Sequence, residues 1–221
     1  FDTLPADKRD QALRKTLAAI EAGGSVSSLP SDTQPGETAY ELVVEEAALE
    51  NWIAQARKLG FVAVDTETTS LDAMQAELVG LSLSVQAGRA CYVPVAHKAP
   101  NGQGALDLGD GGEASEEAPA QLSREKALDL LAPLLEDPSI LKIGQNIKYD
   151  ALVLSRYGVN VAPIDDTMLL SFVLDGGRHG HGMDVLAETH LNMTTVKYKD
   201  VVGAGKKQVT FDYVPLEDAR D

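Results

Sequence analysis

Phe61-Val62-Ala63-Val64-Asp65-Thr66-Glu67 decides the reading of this chain. The four apolar residues read as a buried strand, which then runs into two carboxylates two positions apart. Side chains alternate along a strand, so Asp65 and Glu67 point the same way. Like charges held that close repel unless a cation sits between them. A bound divalent metal is the simplest remedy, and Asn146-Ile147-Lys148-Tyr149-Asp150 offers a further carboxylate, Asp150, to complete it. A strand followed by an acidic turn would give the same triplet, so its surroundings must decide.

Upstream, Leu49, Trp52, Ile53, Ala56 and Leu59 form one stripe of a helix over 45–59, which Gly60 can close. Residues 40–43 can form a short strand before it. Downstream, 78–85 and 90–95 read as two strands of an antiparallel hairpin joined at Gln86-Ala87-Gly88-Arg89. Ser123 can cap a helix running to about 136, which Pro138 ends. A strand over 140–143 leads into a helix through Asp150 and Tyr157, and 159–161 reads as a strand at a sheet edge. Helices over 165–174 and 183–191 follow. Strands that can pair antiparallel, followed by alternating helix and strand, predict an α/β domain with a mixed sheet.

Two stretches stand apart. Residues 1–39 predict a helix over 7–21, with Leu13, Leu17 and Ile20 on one face, and then a flexible connector rich in Ser, Pro, Gly and Thr. The second domain then covers 40–221. Within it, 99–120 holds many Gly, Asp, Glu and Ala residues and reads as a solvated loop.

Composition bounds the partners. The formal charge of −15 argues against a protein that coats duplex DNA through counterion release. It leaves open an enzyme that takes a strand end into a metal site, where bound ions supply the positive charge. The single cysteine, Cys91, excludes an internal disulfide and reads as a buried small hydrophobe. No run approaches the roughly 20 apolar residues of a membrane span, and the amino terminus lacks the pattern of a secretory signal. A cytoplasmic setting fits these features.

The ordered series of motifs resembles the proofreading 3′–5′ exonuclease domain of bacterial family A DNA polymerases, the DNA polymerase I family, within the DEDD exonuclease superfamily. It runs through Phe61-Val62-Ala63-Val64-Asp65-Thr66-Glu67-Thr68-Thr69-Ser70-Leu71-Asp72, Val93-Pro94-Val95-Ala96-His97 and Leu141-Lys142-Ile143-Gly144-Gln145-Asn146-Ile147-Lys148-Tyr149-Asp150. Asp166-Thr167-Met168-Leu169, Met183-Asp184-Val185-Leu186-Ala187 and Gly203-Ala204-Gly205-Lys206-Lys207 continue it in order. The resemblance implies a ribonuclease-H-like mixed sheet of about five strands flanked by helices. It also implies two divalent ions, Mg²⁺ or Mn²⁺. Asp65 would bridge both, Glu67 would bind one, and Asp150 would hold the second position.

The same resemblance implies contacts with a single-stranded DNA 3′ end through Thr66, Leu71, Gln145, Asn146, Arg178, Met183 and Tyr198. Leu71 would wedge against the terminal base, Tyr198 would stack on a base, and Arg178 would touch a phosphate. Sequence alone equally allows Leu71 in the core, Asn146 as a helix cap and Tyr198 as a surface residue. His179 and His181 read as part of a polar loop, and His97 and His190 as structural or solvent-facing. Gly203-Ala204-Gly205-Lys206-Lys207 lacks the ending of a P-loop and reads as a basic turn.

One departure matters. The family's third motif, Tyr-x-x-x-Asp, aligns immediately after the final residue, while Tyr213 and Glu217 share its spacing by coincidence. The expectation is a domain truncated before that motif, with its Glu67 metal position weakened. A linked polymerase domain would follow, and a 5′ nuclease domain could precede. The rivals are an inactive exonuclease-like domain that supports the polymerase and an RNase-D-like RNA 3′ exonuclease. Intact Asp65, Glu67 and Asp150 argue against the first.

Overall fold

The computed structural model describes residues 38–99, 118–205 and 208–220. The expected helix over 7–21, most of its connector, most of the acidic loop, and Lys206 and Lys207 lie outside these residues. Six strands form one mixed sheet: β1 (Ala39–Leu42), β2 (Phe61–Thr68), β3 (Leu78–Gln86), β4 (Arg89–Pro94), β5 (Leu141–Gly144) and β6 (Ile164–Asp166), in the order β1-β4-β3-β2-β5-β6. The β2-β3 and β3-β4 pairs are antiparallel, whereas β1-β4, β2-β5 and β5-β6 are parallel.

One sheet face carries the main core. Helix α1 (Glu46–Leu59) buries Leu49, Trp52 and Ala56 there, and Gly60 ends it in the left-handed conformation at φ 80°, donating its N–H to Ala56 O. Helix α2 (Arg124–Leu135) starts at Ser123, whose Oγ accepts from the Lys126 N–H, and buries Leu128, Leu131, Leu134 and Leu135. Helix α3 (Lys148–Ser155) adds Val153 and Leu154. Val62 and Val64 meet these helices from the alternate positions of β2. Alternation therefore turns Asp65 and Glu67 to the opposite face. Leu59 departs from the expected stripe and is half exposed.

The opposite face is divided. At one end Val79, Tyr92, Val202, Phe211 and Val214 form a smaller core. It is joined by α6 (Tyr198–Val202), a 3₁₀ turn (Phe211–Tyr213) and α7 (Leu216–Arg220). At the other end a cavity of about 620 Å³ lies between the sheet and helices α4 (Thr167–Asp175) and α5 (Met183–Leu186), with the π-helical turn Ala187–Leu191. Helix α4 aligns Thr167, Ser171 and Asp175 in one row, with Ser171 buried, and exposes Leu169, Leu170, Phe172, Val173 and Leu174. Among the described residues no helix is long and apolar enough to cross a membrane.

Two expectations change. Residues 159–161 are not a strand: the Asn160 and Ala162 N–H groups donate to Glu136 Oε1 and Leu135 O at the end of α2, and Val159 and Val161 are buried in the core. The edge strand is instead Ile164–Asp166, cut from the start of the helix expected over 165–174. One edge strand replaces the other, and the sheet has six strands, in keeping with the mixed sheet of about five that the resemblance implies.

Candidate active site

The short reach of β5 makes the site. It pairs with β2 only along Phe61–Ala63, so on that side the later half of β2 needs other partners. The chain leaves β5, turns through Gln145 and Asn146, and enters α3, whose third residue, Asp150, returns to this edge. Asp150 Oδ1 accepts from the Thr66 N–H at 2.9 Å and from the Thr66 hydroxyl at 2.5 Å. One turn position earlier, Tyr149 OH donates to Ser70 O and lies 2.5 Å from Thr68 Oγ1. Helix α3 is thus fastened along the open edge of the acidic strand.

The three carboxylates feel one another. Burial, with the Asp150 charge next in size, pushes Asp65 up to about 6. Burial and the charges of Asp65 and Asp150 push Glu67 up to about 8. Burial also raises Asp150, against the two bonds from Thr66. Such groups hold protons at pH values where exposed carboxylates do not. The donor set is oxygen alone, the chemistry that Mg²⁺ and Mn²⁺ take. Among the described residues no three His, Cys, Asp or Glu side chains stand in ready ligating geometry. The donor chemistry fits a hard divalent ion, while raised pKa values and the Thr66 bonds relieve the repulsion in this arrangement.

Of the other expected residues, Leu71 is 95% exposed, which removes its core reading. It stands on a turn tied by the bond from Asp72 N to Ser70 Oγ. Tyr198 is 53% exposed and stacks on Phe211, with ring centroids 6.3 Å apart and an interplanar angle of 17°. Burial and the Glu67 charge both raise its hydroxyl, so it borders the acidic site. Asn146 adopts a left-handed backbone at φ 59° and does not cap α3 with its side chain. Gln145 is committed elsewhere: its Nε2 donates to His181 O, and Thr167 Oγ1 donates to its Oε1.

Gln145 and Met183 line the 620 Å³ cavity, which Asp65 also borders. Arg178 is exposed and pairs with Asp175 at 2.7 Å. His181 Nδ1 lies 2.8 Å from Ser171 Oγ, and the His179 ring packs near those of His181 and His190. His97 is structural: Nδ1 donates to Val214 O, leaving Nε2 to accept from Tyr92 OH at 2.7 Å. Tyr213 lies under Lys98, and Glu217 is exposed on α7. Burial pushes the Cys91 thiol up to about 12, in keeping with an inert core residue.

Sequence reading assigned no role to Tyr149, Thr68 or Gly80. Tyr149 precedes Asp150 in the first turn of α3, and that adjacency was its available signal. Gly80 pairs with Glu67 across the β2-β3 ladder, and a Cβ there would stand 2.0 Å from Tyr92 OH. A side chain at 80 would drive Tyr92 off His97 beside the acidic strand.

The 3′–5′ exonuclease family profile matches residues 40–216. The chain is 49% identical to DNA polymerase I of Rhizobium leguminosarum over 87% of its own length and 19% of that protein. It is 38% identical to DNA polymerase I of Pseudomonas aeruginosa, over 95% of its own length and 21% of that protein. It thus spans about a fifth of the length of these relatives. Among solved structures, Escherichia coli RNase D, an exoribonuclease involved in structured RNA processing, superposes with a TM-score of 0.51 at 20% identity, covering 73% of this chain and 36% of that one. That likeness bears out the ribonuclease-H-like fold. The motif series, the fold that seats it and the matched profile agree: the chain belongs to the 3′–5′ exonuclease family found as a domain of DNA polymerase I.

Proposed function

We propose that the chain removes nucleotides from the 3′ end of single-stranded or frayed DNA, as the proofreading unit of a longer polymerase. Asp65, Glu67 and Asp150 would hold two divalent ions, Mg²⁺ or Mn²⁺. When bound, such a pair supplies an acidified water and stabilises the attacking and leaving oxygens of an in-line displacement. The chain's own groups do the rest. Thr66 fixes Asp150, Leu71 stands free to wedge against the terminal base, and Tyr198, backed by Phe211, offers a stacking face. Asn146, with Gln145, Arg178 and Met183 as outer contacts, would steady the strand end. An unpaired terminus costs less to unstack, which selects mismatched ends.

The observation that carries this reading is that Asp65 and Glu67 share one strand face, each raised by burial and by the Asp150 charge, with Asp150 held at the open edge of the same strand.

The test is hydrolysis of 5′-labelled single-stranded DNA in Mg²⁺ or Mn²⁺, with a matched RNA alongside. The expected result is stepwise shortening from the 3′ end of DNA, with chelator and Asp65→Asn or Asp150→Asn each slowing it by more than about a hundredfold, the upper end of what loss of a ligand's supporting partner costs. Unchanged rates in Asp65→Asn would overturn the site, and faster trimming of RNA would overturn the substrate.

A further inference from the structure

We infer that Asp166 is a positioning residue for the 3′ end, acting through the backbone of Asn146. The inference rests on the proposed contact between Asn146 and the strand end. Asn146 is one of two described non-glycine residues with positive φ, at 59°, a conformation that asparagine tolerates better than most residues but that still needs support. The support comes from Asp166, whose Oδ1 accepts the Asn146 N–H at 2.9 Å. The same oxygen accepts from the Met168 and Leu169 N–H groups at 3.0 and 3.4 Å.

Capping alone would account for the last two bonds, since an N-cap side chain satisfies the first free amides of its helix. The bond to Asn146, twenty residues upstream, is the shortest of the three and serves no helix. The parallel β5-β6 register makes it possible by setting Gly144 beside Asp166, so that the turn leaving β5 passes over the carboxylate. Gly144 itself has no room for a side chain, because a Cβ there would meet Ile147 at 2.9 Å. Thr167, next along, holds the other half of the turn through Gly144 O and Gln145 Oε1. Asp166 is only 7% exposed, so its carboxylate is set inside the fold.

Asp166→Ser separates the two roles. Serine still caps a helix but is one bond too short to reach Asn146 in the same way. Affinity for a short single-stranded DNA is read by fluorescence anisotropy of the 221-residue chain in Ca²⁺, for Asn146→Ala, Asp166→Ser and the double variant. Each single change is expected to weaken binding about tenfold, with the double no more than about twofold weaker still, because residues acting as one unit are not additive. Asp166→Asn, which keeps an oxygen within reach, should stay within about threefold of the parent, a small fraction of the coupling such a pair can show.

If Asn146→Ala weakens binding and Asp166→Ser adds its full cost on top, the role of Asp166 is overturned while the Asn146 contact stands. Unchanged binding by Asn146→Ala would overturn the contact itself. A second reading needs no ligand. Asn146→Gly removes the left-handed penalty and should restore part of the melting temperature lost in Asp166→Ser. No restoration would overturn the inference.

Discussion

Asp150 and Thr66, 84 positions apart, are joined by two hydrogen bonds to one oxygen: Asp150 Oδ1 accepts the Thr66 N–H at 2.9 Å and its hydroxyl at 2.5 Å. The contact satisfies a strand edge that β5 leaves uncovered and fixes a carboxylate beside Asp65 and Glu67. Fold and site are therefore one arrangement here, because the element that completes the edge also delivers the third acid.

Thr66→Val keeps the backbone bond and shape but removes the hydroxyl donor from a buried carboxylate. It is expected to cost about 1–3 kcal/mol in urea unfolding, the range for a bond to a charged group or for leaving a buried acceptor short of a partner. Thr66→Ser should recover most of that loss.

The raised carboxylates give the metal-free protein a distinct pH response. Asp65 titrates near 6 and Glu67 near 8 in the folded chain, against about 4 for ordinary carboxylates. Between those limits these two groups hold more protons in the folded chain than in the unfolded one, so the stability they contribute falls as pH rises from about 4 to about 8. Melting temperatures across that window should decline, Glu67→Gln should flatten the upper part, and Mn²⁺ at pH 8 should reverse the decline. A flat metal-free profile would contradict the shifts.

Lys142 lies fully buried in β5 with its Nζ donating to Asp137 O, Ile140 O and Ala162 O. Lys142→Met fills similar space but strands these carbonyls. A loss of about 2–4 kcal/mol is expected by denaturant titration, since each unmade buried bond costs on the order of 1–3 kcal/mol and water reaches some of them.

Leu71 and Tyr198 separate substrate contact from stability. With Leu71 so exposed, Leu71→Ala should leave unfolding free energy within about 0.5 kcal/mol, the usual range for surface changes. Tyr198→Ala should weaken single-strand binding by about 1–3 kcal/mol, the worth of one stacked base. Unaltered binding by both variants would remove the proposed path of the strand.

Much of this was legible in the chain because local signals agreed with the tertiary fold. The α1 stripe, its Gly60 cap, the Ser123 cap, the β3-β4 hairpin and the shared face of Asp65 and Glu67 all follow from short-range periodicity. Where reading failed, long-range packing had outweighed the local pattern. Val159 and Val161 look like strand residues but are core residues whose neighbours bond to the end of α2. Asp165 and Asp166 look like a helix start, yet pairing with β5 draws them into the sheet. The bonds of Asp150 to Thr66, of Asp166 to Asn146 and of Gln145 to His181 span 84, 20 and 36 positions, and no spacing in the sequence announces them.

The most direct measurement is anomalous diffraction from crystals equilibrated with Mn²⁺. The account predicts a peak within coordination distance of carboxylate oxygens from both Asp65 and Asp150, lost in Asp65→Asn, with any second peak beside Glu67. Mn²⁺ bound elsewhere, with Asp65 and Asp150 facing separate surroundings, would contradict it.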